Sequence, residues 1–187
     1  MRKWIPLPCA LALFACGSGV GSASFNGTVR GQSMHPADAV SGPSVVGWLI
    51  LSSVGGVCAK MAAKQEPKSW VTLSVQLMDS RPTAPFVIAP ATTGTFTIVP
   101  GNFAGSLPPH AATAVFNVTD ALCANISGGN AVSGTVTLTS NDGGAYSGLF
   151  DLTFDSGDHV TGSFDATHCA GIDTFLAAAG NNTLSCG

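Results

Sequence analysis

Apolar and polar residues alternate most regularly over residues 133–169, where three strands of an antiparallel meander are expected. Thr135, Val136, Thr137, Leu138 and Thr139 follow the period of two produced by a strand with one buried face. Asn141, Asp142, Gly143 and Gly144 then supply residues that tolerate a tight hairpin turn. The second strand directs Tyr146, Gly148, Phe150, Leu152 and Phe154 inward and Ser147, Asp151, Thr153 and Asp155 outward. The third directs Val160, Gly162, Phe164 and Ala166 inward and His159, Thr161, Ser163 and Asp165 outward. A three-residue loop at 156–158 sets Phe154 opposite Val160, Leu152 opposite Gly162 and Phe150 opposite Phe164. A one-residue slip would expose every apolar side chain.

The same reading divides the remainder into short elements. Strands are expected at 25–31, with a candidate bulge at Asn26 and Gly27, and at 44–52, 70–79, 94–99 and 112–119. Residues 32–43 read as a loop punctuated by Pro36 and Pro43, and 82–90 as a Pro-bounded edge or loop. One short helix is expected near residues 55–65, with Ser53 as a candidate cap and Pro67 beyond its end. The tail from Ala170 holds a short apolar turn at 172–179 and then polar residues. The expected fold is all-β: one antiparallel β-sandwich of eight to nine strands, immunoglobulin-like or similar, spanning residues 25–187.

The N-terminus adds an address. Arg2 and Lys3 precede an apolar stretch too short to span a bilayer, and Leu13, Phe14, Ala15 and Cys16 resemble a bacterial lipobox. Residues 1–15 are expected to be a signal peptide and Cys16 the lipidated residue, with 16–24 a flexible tether to the membrane. Gly17 is not Asp, which in similar lipoproteins implies outer-membrane sorting. Cleavage near Ala23, which would discard Cys16, is the plainer alternative. Of six cysteines, Cys58, Cys123, Cys169 and Cys186 remain as disulfide candidates in an exported chain. Three connectivities are open, and Cys169–Cys186 with Cys58–Cys123 is favoured because it pins the tail.

The lipobox is followed by the Phe25-x-Gly27 strand, a helix bearing Cys58 and the alternating Leu73, Val75 and Leu77. The chain then closes with Gly148-Leu149-Phe150-Asp151, Gly162-Ser163-Phe164-Asp165-Ala166 and Cys169. In this order it resembles uncharacterised lipoproteins of myxobacterial type. The resemblance is specific in the meander and implies a β-sandwich facing the surface or periplasm. It supplies no catalytic residues.

Candidate chemistry is sparse. The chain lacks a Gly-x-Ser-x-Gly elbow, a His-Glu-x-x-His pair and a phosphate-cradling loop, so no enzyme activity, cofactor or metal is expected. Glu66, between Lys64 and Lys68, reads as part of a solvated face. His159 is expected to pair with Asp155 across the strands, which explains the pair better than a catalytic triad. His35, His110 and His168 read as exposed. Arg81 is the last basic residue, so the acidic C-terminal half does not suit nucleic acid. Asp155 and Asp158 are weak candidates for Ca²⁺, although the spacing is neither EF-hand-like nor RTX-like. Trp48 is expected in the core and Trp70 on the outer face, the one aromatic placed to meet a sugar. The leading expectation is a non-enzymatic, lipid-anchored envelope protein with a structural or interaction role. The alternative is a glycan- or polymer-binding module, Ca-assisted if the aspartates bind.

Overall fold

A computed structural model describes residues 20–43, 46–81, 87–89, 91–101 and 107–187. The signal segment and Cys16 lie outside the described residues, as does most of the Pro-bounded stretch after Arg81. The elements in order are β1 (Ser22–Gly27), β2 (Asp38–Pro43), β3 (Gly47–Ser52), α1 (Val57–Ala62), β4 (Gln65–Glu66), β5 (Val71–Arg81) and β6 (Val87–Ala89). There follow β7 (Gly94–Ile98), β8 (His110–Thr119), β9 (Asn125–Asp142), β10 (Ala145–Phe154), β11 (His159–His168), α2 (Gly171–Gly180) and β12 (Ser185–Cys186). The first strand begins at Ser22, inside the expected tether. The expected loop at 32–43 contains β2.

The fold is mostly β, as expected, but it is not purely antiparallel. The main sheet runs β1-β11-β10-β9-β7-β8-β5-β3-β2, with β6 on β5 and a second contact between β8 and β9. The pairings then return on themselves, because β2 also meets β11 in parallel through Val40–Thr167 and Ser41–His168. β7 runs parallel to β8, and β12 parallel to β4 in a separate two-stranded sheet. Buried Ser41 reinforces the closure: its hydroxyl donates to Gly144 O at 2.8 Å and accepts from the Tyr146 N–H at 3.1 Å. The circuit encloses one large core that includes Leu49, Leu73, Phe96, Phe116, Tyr146 and Leu152.

The meander lies where expected and buries the expected face. Its register differs by two residues. Phe154 N–H donates to Asp158 O, and Gly157 N–H to Phe154 O, so the three loop residues are 155–157. Gly157 takes the positive φ of 85° that this turn needs, placing the loop one residue earlier than expected. An even shift leaves every side chain on its face but changes the partners. Leu152 now lies opposite Val160, Phe150 opposite Gly162, and Phe164 opposite Gly148. The repeated Gly-x-Phe has a steric meaning: a Cβ on Gly162 would stand 2.3 Å from the Phe150 ring, and one on Gly148 2.8 Å from that of Phe164. Each ring lies over the glycine of the facing strand, so no Phe–Phe pair forms across it.

A second layer covers part of the outside. Residues of β2 and β3 are buried on both faces, with Leu49 and Leu51 in the large core and Val40 and Ile50 beneath the helices. That is why β3 reads as an unbroken apolar run. The second cluster joins Val57 and Met61 of α1, Ile172 of α2 and Trp70. The apolar stretch expected as a turn near 172–179 is therefore helix α2, and the described residues hold two helices. Ser53 does not cap α1; its Oγ accepts from Val71 N–H, while Asp38 Oδ2 accepts the Val57 N–H at 3.0 Å. Trp70 is 6% exposed, with Phe175 edge-on at 6.1 Å and its indole N–H donating to Ser52 Oγ at 2.8 Å. It lies off the large core, as the alternation indicates, but α2 covers it.

The disulfides connect Cys58 to Cys169 and Cys123 to Cys186, not the favoured pairs. Backbone placement explains this. Cys169 N–H bonds Ser41 O at the end of β11, and a Cβ on Gly171 would stand 2.8 Å from Ala62 N, so α1 and α2 touch at that point. Cys58 is thereby carried to Cys169. The tail continues along β4, with Cys186 opposite Glu66, which brings it to the turn holding Cys123. The bridges close separations of 111 and 63 residues, each limiting unfolded-state entropy by on the order of 4–5 kcal/mol.

Candidate functional site

Between α2 and the outer face of the sheet lies a cleft of about 240 Å³. Its floor is set by strand alternation. Because Leu49 and Leu51 point into the core, Trp48 and Ile50 point out; on β5 the same alternation turns Thr72 and Ser74 outward, and on β8 Asn117 and Thr119. Phe175, Leu176 and Ala179 of α2 form the facing wall, with Leu184 beyond the helix. The floor thus changes across the strands, from apolar on β3 to hydroxyl on β5 and amide and hydroxyl on β8. Trp48 is half-buried, packed against both smaller apolar clusters and still reaching the cleft.

Glu66 and Asn125 lie at the polar end. Burial raises the Glu66 carboxyl above its ordinary pKa. Among the described residues, no side chain pairs with this carboxylate; Lys60 Nζ donates instead to Gly187 O at 3.3 Å. Asn125 Nδ2 donates to Asn117 Oδ1 at 3.3 Å, leaving the Asn117 amide group as a donor and the Asn125 carbonyl as an acceptor. Thr119 Oγ1 accepts the Trp70 N–H at 3.1 Å. The arrangement can grip an amphipathic ligand, with apolar contact at one end and uncharged donors and acceptors at the other.

The other candidate residues are engaged elsewhere. His159 bonds Asp151 at 2.7 Å, not Asp155; the two-residue register difference puts Thr153 opposite it, where Asp155 was expected, and Asp151 on the diagonal. Asp155 accepts from Arg30 at 3.3 Å, and Asp158 accepts from the Arg30 backbone N–H at 2.7 Å and from Ser156 Oγ. Hydrogen bonds from Ser156 and Arg30 hold the Asp158 carboxyl below its ordinary value. Asp155 therefore faces a guanidinium and Asp158 a backbone amide, and no group of three or more metal-ligating side chains occurs among the described residues. His110 is not idle. Its Nδ1–H donates to buried Asp79 at 2.6 Å, and Asp79 also accepts from the N–H and hydroxyl of Thr92. Neither paired histidine has a serine hydroxyl as a partner among the described residues. His35 and His168 are exposed, as expected.

The sequence reading passed over Trp48, assigned to the core, and the outward asparagines of β8 and β9. A usable signal was present: Asn is disfavoured in strands, and Asn117 interrupts an otherwise apolar and β-branched run. Comparison with protein-family models, curated proteins and solved structures gives no match, so the character of the cleft follows from its own side chains.

Proposed function

We propose that this chain is a non-enzymatic, lipid-anchored protein of the cell envelope whose β scaffold presents a binding cleft beneath α2. The observation that carries the binding role is the cleft itself. It has a half-buried tryptophan, a carboxyl that no side chain among the described residues pairs with, and amide groups with donors and acceptors to spare. Paired cysteines agree with an oxidising compartment. The lipobox at 13–16, with Gly17 after Cys16, supports an outer-membrane anchor, and the resemblance to myxobacterial-type lipoproteins supports the same address. The finer architecture is read as a β-sandwich whose seam is joined by the β2–β11 contact.

Two measurements test the two halves of this proposal. Labelled palmitate is incorporated by the wild type and lost in Cys16→Ser; equal labelling would refute the anchor. Ala179→Trp fills the cleft from an exposed helix position and abolishes retention of the purified protein on isolated cell-wall polymer. Undiminished retention would remove the cleft from the mechanism.

A further inference from the structure

The cleft is not isolated. A depression of about 440 Å³ shares Asn117 and Asn125 with it and passes over Gly128 and Asn130 to Arg30 and Asp155. A third, of about 380 Å³, shares Asn130 and Asp155 with the second and ends at Pro100, Gly101 and Val132. Register makes the run continuous, since Asn117 lies opposite Gly128 and Val115 opposite Asn130 on paired β8 and β9. We propose that this groove binds a single chain of a neutral, hydroxyl-rich oligosaccharide, seated at Trp48 and running past Asn117, Asn125 and Asn130. This rests on the reading of the cleft as a binding site and extends it to a substrate class.

Three features select that class. The polar side chains along the path are mainly amides and hydroxyls, groups that both donate and accept, as vicinal sugar hydroxyls do. Trp48 offers an apolar surface to the C–H face of a pyranose ring, at the end where the floor is apolar. The charges do not recruit an ion: the Arg30 guanidinium is bound by Asp155, and Glu66 is a single carboxyl lining the first cleft. A polyanion would meet no free cation on this path. A peptide adding as a further strand would need a free strand edge, whereas the backbone of β8 and β9 is joined in the ladder beneath the groove.

The test is calorimetric titration of the full, disulfide-bonded protein with neutral glucan and N-acetylglucosamine oligomers, from monosaccharide to hexasaccharide. An oligogalacturonate and an Asn/Ser-rich peptide of similar length serve as comparisons. Affinity is expected to rise with oligomer length. Asn130→Ala, at an exposed side chain, should weaken the longer oligomers by up to about tenfold while leaving the shortest unchanged. Ala179→Trp should abolish binding of all lengths. Length-independent binding would overturn the groove while leaving the cleft in place, and preference for the polyanion or the peptide would overturn the ligand class. Absence of all saccharide binding, with wall retention still lost in Ala179→Trp, would overturn this inference but not the proposed function.

Discussion

The meander and the β2–β3 corner both bury apolar residues, but they do so in opposite ways. In the meander, one face meets the core and the other meets water, so Leu149 stands 56% exposed among hydroxyls while Phe150 beside it is buried. In β3, Leu49 and Ile50 point in opposite directions and both are buried, because the helices cover the second face. Solvent writes the alternation into a sequence. Where a second layer replaces solvent, the alternation disappears, although the strand is unchanged.

The largest effect expected from this contrast comes from detaching the second layer. Replacing Cys58 and Cys169 together by alanine should lower stability by on the order of 4–5 kcal/mol, or roughly 10–20 °C in Tm. Calorimetric melting checks it, and a drop of only a degree or two would mean that the helices hold to β2 and β3 without the bridge. Next in size is a matched pair of outward aliphatic residues. Ile50→Ser should cost about 2–4 kcal/mol by opening a cavity and burying a hydroxyl, whereas Leu149→Ser should fall within about 0.5 kcal/mol of wild type. Equal costs in urea unfolding would show that the two outer faces do not differ as described.

The smallest effect concerns Glu66, the charged group at the boundary between covered and open surface. Its raised pKa means that ionisation disfavours the folded state. Stability is therefore greatest below the ordinary Glu range and declines as pH rises through the raised value. Glu66→Gln should remove that decline and give a slightly more stable protein at neutral pH. Melting profiles across pH 4–8 would show the two curves converging at the acid end. A variant less stable than wild type at neutral pH would mean that a cation partners the carboxylate.

The elements read most faithfully from the sequence are β5, β7, β8, β10 and β11, which lie close to their expected spans and alternate along most of their length. Strand β2 was hidden by Pro36 and Pro43 and by burial on both sides. Trp70 was placed on the correct side of its strand, but nothing local announces that α2 covers that side. The hairpin register turned on which residue takes positive φ, a choice between neighbouring turn-forming residues that alternation does not settle. Disulfide connectivity depended on α1 and α2 touching at Gly171, a long-range contact with no signature in cysteine spacing. The cleft beneath α2 was illegible for the same reason. Its residues come from β3, β4, β5, β8, β9 and α2, and only the closed sheet places them together.

Closure of that sheet also has a kinetic consequence. The pairings that complete it, Val40 with Thr167 and Ser22 with Asp165, join opposite ends of the chain. Such contacts carry a loop-closure cost before they return any stability, so they belong among the late events of folding. As the chain is delivered from its N-terminus, the core cannot be sealed until β11 has emerged. The last strand of the main sheet to arrive is then the one on which both of the first two strands must wait.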